Sequence, residues 1–346
     1  MKKIKLLLAD DSGLMRLIVQ DMLTQESALE VIATAENGLE ALEKTQIFEP
    51  DVVLLDLVMK DYDGIFATKK IMQLCPTPII LLTSLENDHE MVFDALNAGA
   101  FDIVSKPKGA FHSKVREIKE ELLQKIKIAF ENKSNLKTIS PDTLQNQNPH
   151  TFNTNLTYQI IVIGASTGGT TAIEHILKKM PQNLPIPIVI VQHIPAEFGK
   201  SFAKRLNQEM PFEVKIAQEN EKLQAGIVYI VPSDCNMQIS QNGKKIYFFE
   251  KNNQLFKEYN FPSIDSMMLS IAKVFGNKAI GIILTGMGKD GAMGMQAIHR
   301  AGGLTIAQSE NTCVVFGMPK AAIELQAVQY ILPLDEISQF VTMALD

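Results

Sequence analysis

The sequence predicts two α/β units, each a doubly wound parallel sheet, joined by a flexible linker. Three observations lead there. The chain has 346 residues, more than one core usually organises, since domains cluster near about 100 to 150 residues. Short, nearly all-apolar β-like runs alternate with amphipathic helical stretches, the pattern of a parallel sheet covered on both faces. The alternation is interrupted between Glu131 and Thr157, where asparagine recurs at Asn132, Asn135, Asn146, Asn148, Asn153 and Asn155, with Gln145, Gln147 and two prolines between. Large apolar residues are sparse there, so ordering the segment would cost backbone entropy with little burial to offset it. The expected division is a first unit over residues 1–130, a linker over 131–157 and a second unit over 158–346.

In the first unit the strand-like runs are Lys5 to Ala9, Val31 to Ala33, Val52 to Leu55, Ile79 to Leu82 and Ile103 to Val104, alternating with five helices. The last helix has Val115, Ile118, Leu122 and Ile126 at spacings of three and four, one stripe facing a sheet. After the linker come Ile160 to Ile163, a Gly-rich turn, a helix from about Thr170, then Ile186 to Val191, and later Ile280 to Leu284 before another glycine-rich turn. No period of about 20 to 50 residues repeats.

Composition narrows the function. Hydrophobic residues at 46% with 21% charged describe a chain able to bury sizeable cores. Lysine plus arginine (33) against aspartate plus glutamate (39) leaves −6, which disfavours a nucleic-acid partner. Cys75, Cys235 and Cys313 fall far apart with no CxxC, which fits a reducing cytoplasm. The apolar run at the amino terminus, broken by Asp10 and Asp11, is too short for a signal sequence or a span, so no membrane insertion is expected.

In open α/β sheets ligands bind beyond the carboxyl ends of the strands. There the first strand is followed by Asp10-Asp11, the third by Asp56, the fourth by Thr83-Ser84 and the fifth by Lys106-Pro107. Three carboxylates brought together repel one another, and a hard divalent cation such as Mg²⁺ relieves that. A hydroxyl and a lysine at the same edge suit a further anion, as in phosphoryl-binding sites. Any one of these acids could equally be a helix N-cap; all five features in register are better explained by a site.

These residues, from about Lys3 to Phe130, resemble the receiver domain of two-component response regulators. The turn "DLVMKDYDG" fits the family's D-x-x-M-P-x-x-D-G with Gly64 in place; Lys60 stands where proline is usual, and Ile103 where an aromatic switch residue is usual. The resemblance implies a flavodoxin-like fold, phosphorylation on Asp56, phosphate contacts from Thr83 and Lys106, and Mg²⁺ on Asp10, Asp11, Asp56 and Val58.

In the second unit, Gly164-Ala165-Ser166-Thr167-Gly168-Gly169 follows a strand and opens a helix. Such a turn can cradle a phosphate at the helix N-terminus or expose Ser166 as a nucleophile beside backbone N–H groups, and alone it does not choose. His193 follows the next strand in Gln192-His193-Ile194-Pro195, and Asp290 lies past another strand in Thr285-Gly286-Met287-Gly288-Lys289-Asp290-Gly291. The Walker pattern would need Ser or Thr after Lys289, and Asp290 stands there. Ser166, His193 and Asp290 are thus a nucleophile, a base and an orienting carboxylate on strand ends. Their order, Ser, His, Asp, differs from the Ser, Asp, His of α/β-hydrolases.

With "IGASTGG", "VQHIP", "FPSID", "LTGMGKDGAMG", "GMPKAA" and "ILPLDEI" in order, the stretch from about Gln159 onward resembles the catalytic domain of chemotaxis protein-glutamate methylesterases, the CheB family. Phe261 stands where arginine commonly precedes the proline. The resemblance implies a phosphorylation-activated esterase that removes γ-methyl esters from glutamates on methylated chemoreceptor cytoplasmic domains and deamidates selected glutamines. It further implies Met287 N–H as an oxyanion donor, no cofactor in the catalytic domain, and a sensor histidine kinase as phosphoryl donor. Two rivals are a non-enzymatic regulator with an adaptor or nucleic-acid-binding output, which would be expected to carry a basic recognition helix, and a phosphate-binding enzyme.

Overall fold

The apolar runs of the first unit can be covered on both faces only if helices return between them, and they do. The computed structural model describes residues 3–83, 89–106, 111–133, 157–243, 245–250 and 262–345, and the chain divides into Met1–Thr138 and Ile139–Asp346. In the first unit β1 (Ile4–Ala9), β2 (Leu29–Ala35), β3 (Val52–Asp56), β4 (Ile79–Thr83) and β5 (Asp102–Ser105) form one parallel sheet in the order β2-β1-β3-β4-β5. Strand order reverses beside β1, so a crevice opens past the carboxyl ends of β1 and β3. Helices α1 (Gly13–Thr24), α2 (Gly38–Phe48) and α3 (Gly64–Leu74) start on side-chain caps: Ser12, Asn37 and Asp63 accept from the N–H groups of Met15, Glu40 and Phe66. Such caps contribute about 1 kcal/mol each. The set is completed by α4 (His89–Asn97) and α5 (Phe111–Glu131), which buries Ile118, Leu122 and Ile126 as its spacing predicts.

Past residue 130 the first unit continues. Helix α5 includes Glu131, and Lys133 pairs with Asp51 at 3.0 Å and donates to the Pro50 carbonyl. Residues 134–156, most of the expected linker, lie outside the described residues, as do Ser84, Pro107 and Phe261.

The second unit carries a seven-stranded parallel sheet of β6 (Ile160–Ala165), β7 (Ile188–Gln192), β8 (Glu213–Ile216), β9 (Ile227–Ile230), β12 (Ala279–Ile283), β13 (Leu304–Gln308) and β14 (Tyr330–Leu332), ordered β14-β13-β12-β6-β7-β9-β8. Strand β7 begins at Ile188, two residues later than the apolar run predicts, because Pro187 has no N–H for the ladder. Helices α6 (Gly169–Lys178), α7 (Ala196–Glu209), α8 (Ile264–Phe275), α9 (Ala292–Arg300), α10 (Met318–Glu324) and α11 (Leu334–Leu345) surround it. An antiparallel hairpin of β10 (Met237–Asn242) and β11 (Lys245–Glu250) was not expected; it lays Met237, Ile239 and Phe248 into the core with Met267 and Ile271 of α8. Strand β6 lies between β7 and β12, so their carboxyl ends frame the second crevice.

Candidate active site

In the first unit, Asp10, Asp11 and Asp56 each offer a carboxylate oxygen, and these oxygens lie within 4.8 Å of one another. Lys106, buried just past β5, reaches Asp10 at 2.7 Å and Asp56 at 2.9 Å. The other oxygen of Asp56, Oδ1, is buried with no hydrogen-bond partner. Burial pushes the Asp56 carboxyl above its usual range; Lys106 opposes that and the charge of Asp10 adds to it. Hard oxygen donors with one left unsatisfied fit a divalent cation such as Mg²⁺. Thr83, buried, ends β4, and Val58 is half-exposed two residues beyond Asp56.

The loop after Asp56 closes tightly: a Cβ on Gly64 would sit 2.4 Å from the Asp56 carbonyl oxygen, so only glycine fits. Lys60 takes the place of a stiffening proline, and hydrogen bonds hold the loop, with Tyr62 N–H donating to the Lys60 carbonyl and Gly38 N–H to the Tyr62 carbonyl. Ile103 is buried, and its carbonyl accepts from Lys125 of α5.

In the second unit the β6–β7 register pairs Ala165 with Gln192, so Ser166 and His193 leave the sheet side by side. His193 N–H donates to the Ala165 carbonyl at 3.0 Å and Ser166 N–H to the Thr285 carbonyl at 3.1 Å. His193 Nε2 lies 2.9 Å from Asp290 Oδ2. The Asp290 carboxylate, 5% exposed, also accepts from Ile264 N–H at 2.8 Å and Asp265 N–H at 2.9 Å. Those are the first amides of α8, where unpaired N–H groups and the helix dipole favour a negative charge. Gly286 brings the following loop against the serine: a Cβ there would lie 2.8 Å from Ser166 Cβ. All three strand-end residues singled out in the second unit thus converge on one crevice, with Met287 next along that loop.

The family model described as CheB methylesterase matches residues 161–341, and that of the response regulator receiver domain matches residues 6–116. The chain belongs to the CheB methylesterase family. The protein-glutamate methylesterase/protein-glutamine glutaminase 1 of Carboxydothermus hydrogenoformans is 42% identical over 342 residues, covering 98% of this chain and 98% of that one. A protein of Archaeoglobus fulgidus named protein-glutamate methylesterase/protein-glutamine glutaminase is 38% identical, covering 99% of this chain and 98% of its own. The crystal structure of the Thermotoga maritima CheB methylesterase catalytic domain, 38% identical, covers 54% of this chain and 99% of that chain with a TM-score of 0.52.

A further acid of this CheB chain, Asp265 in the "FPSID" stretch, lies against Asp290. Asp265 is 1% exposed, accepts from Gly294 N–H at the start of α9 at 2.7 Å, and its own N–H holds Asp290. Burial raises its carboxyl to about 6, helped by the charge of Asp290 and opposed by amides of Gly294, Gly291 and Met293. In the sequence it looks like an ordinary first-turn acid; only the meeting of two helix starts sets it apart.

Proposed function

We propose that this chain is a phosphorylation-activated protein-glutamate methylesterase and protein-glutamine glutaminase whose nucleophile is Ser166, whose base is His193 and whose orienting carboxylate is Asp290. The observation that carries the reading is the 2.9 Å contact between His193 Nε2 and an Asp290 carboxylate tied down by the amides of α8, beside Ser166 across the β6–β7 register. With Nε2 engaged, Nδ1 is the nitrogen left to take the serine proton.

Ser166 Oγ attacks the side-chain carbonyl carbon of a methylated glutamate and gives its proton to His193. The oxyanion is stabilised by backbone donors, Met287 N–H among them. Collapse breaks the carbonyl carbon to methoxy bond, and His193 returns its proton so that methanol leaves. Water, deprotonated by His193, then hydrolyses the acyl-serine and frees the glutamate. A glutamine follows the same route with ammonia leaving, so one site serves both reactions, with protein groups and water carrying each step.

The first unit is the receiver that governs this rate; it extends at least to Lys133, which pairs with Asp51, and the linker runs from there to about residue 157. Asp56 takes the phosphoryl group from a sensor histidine kinase. Asp10, Asp11, Asp56 and Val58 would hold Mg²⁺, which supplies charge neutralisation at the transferring group, while Thr83 and Lys106 contact the phosphoryl oxygens. The substrates are methylated chemoreceptor cytoplasmic domains, met in the cytoplasm; among the described residues no helix is long and apolar enough to cross a membrane.

The test is methanol release from a methylated receptor fragment, with and without acetyl phosphate. Release that quickens with the phosphodonor is expected, together with covalent labelling of Ser166 by a serine-directed phosphonate. No release under either condition would refute the esterase assignment.

A further inference from the structure

Ser166 and His193 stand on different loops, so something touching both has to set their relative position. Gln192 does. It is the last residue of β7 and 2% exposed. Its Nε2 donates to the Ser166 carbonyl at 2.9 Å and to the His193 carbonyl at 2.8 Å. The two protons of an amide nitrogen lie in one plane at a fixed angle, so these bonds fix the two carbonyls together.

The other end of the amide argues against simple packing. Oε1 is buried with no hydrogen-bond partner and stands against Gly169, where a Cβ would lie 2.2 Å from it. Turning the amide over would aim Oε1 at two carbonyl oxygens, so the hydrogen bonds dictate the orientation seen. A buried polar atom without a partner is destabilising, and where a fold retains one it calls for a local reason. Holding the sheet together is not that reason: His193 N–H to the Ala165 carbonyl, at 3.0 Å, already joins β6 to the loop after β7. What Gln192 adds is a tie between the two loops beyond the sheet.

We infer that Gln192 is a positioning residue of the esterase, its side-chain amide clamping the Ser166 turn to the His193 loop so that nucleophile and base meet at reacting distance. The inference rests on the assignment of Ser166 and His193 above. It predicts a loss confined to chemistry, because Gln192 is buried beneath the site and offers no contact to substrate.

Gln192→Met, of similar volume with no donor, and Gln192→Glu, of the same shape with a carboxylate facing the two carbonyls, are made in the full-length chain and assayed with acetyl phosphate. A misplacement near 1 Å costs roughly 10² in rate, so kcat for methanol release is expected to fall by about 10²-fold with KM within about threefold. Phosphonate labelling of Ser166 should slow in parallel. A purely structural residue would lower Tm and leave turnover and labelling per folded molecule unchanged. If either variant folds and keeps kcat within about twofold of the parent, the clamp is disproved, and the second variant serves should the first not fold. Ser166→Ala in the same assay separates the two ideas: full activity there overturns the esterase assignment itself, whereas an inactive Ser166→Ala beside a fully active Gln192→Met overturns the clamp alone.

Discussion

Asp56 and Asp290 both stand at the carboxyl edge of a parallel sheet, and their carboxylates are satisfied in opposite ways. Asp56 shares Lys106 with Asp10 and leaves Oδ1 with no partner. Asp290 uses both oxygens, on two amides at the start of α8 and on His193. An under-satisfied carboxylate among like charges is held in a high-energy arrangement that a cation relieves, so it is suited to taking a metal and, beside that metal's charge, to being modified. A carboxylate met by fixed dipoles has nothing to gain by changing partners, so it is suited to holding another group still.

The comparison can be broken most sharply at the second site. Ser166→Ala and His193→Ala should each reduce kcat for methanol release by roughly 10⁴ to 10⁶, with Asp290→Ala the mildest at about 10⁴. Asp290→Asn is the informative variant. Both Asp290 oxygens accept main-chain N–H groups, so the amide that replaces one must point its own protons at a donor of α8 or at His193. It should therefore lose stability as well as rate, read by denaturant titration beside the methanol assay. An Asp290→Asn chain as stable and active as the parent would remove the contrast.

At the first site the same substitution should be benign. Burial, the largest influence, and the charge of Asp10 push the Asp56 carboxyl up while Lys106 opposes them, so a neutral amide there loses the Lys106 pair but sheds the larger cost of a buried charge. Asp56→Asn is expected to fold with a denaturant midpoint no lower than the parent and to ignore acetyl phosphate. Chelating Mg²⁺ should likewise abolish the acetyl phosphate response of the parent and leave its basal methanol release intact. If chelation stopped the basal reaction, the metal would belong to both units.

Much of this was legible in the chain itself, because strand-end residues report on a site wherever apolar runs mark the strands. Asp10, Asp11, Asp56 and Lys106 follow from that rule, as do Ser166 and His193, since each lies within two residues of a strand end. Features set by contacts between distant elements were not. The β10–β11 hairpin carried a local signal, alternation in "MQIS" and Gly243 in a left-handed conformation at φ 60°, but its half-polar strands do not read as part of a buried parallel sheet. Gln192 and Asp265 looked like a strand terminus and a helix-start acid; their roles depend on Ser166 lying 26 positions away and Gly294 lying 29 away.

Asp265 gives the smallest expected effect and refines the comparison, because it combines traits of both sites: near-complete burial beside a like charge, and amides of a helix start as partners. Its carboxyl is raised to about 6 from an ordinary 3.8. A folded-state value above the unfolded one means the folded chain holds a proton that the unfolded chain has lost, over the window between those two values. The stability this contributes is fully present below the lower value and is lost as pH rises through about 6. The two values differ by an amount equivalent to roughly 3 kcal/mol, an upper figure for the change. Asp265→Asn removes the titration, and its amide oxygen can still accept from Gly294 N–H. Denaturant midpoints of the parent and of Asp265→Asn, compared from about pH 4 to pH 7, should therefore diverge, the parent losing ground as pH rises while other carboxylates affect both alike. Activity should fall far less than for Asp290→Ala, since the group that holds Asp290 is the main-chain N–H of residue 265, which the substitution keeps. Superimposable stability profiles would mean that the Asp265 carboxyl is as well satisfied as that of Asp290, its helix-start amides outweighing burial and the neighbouring charge.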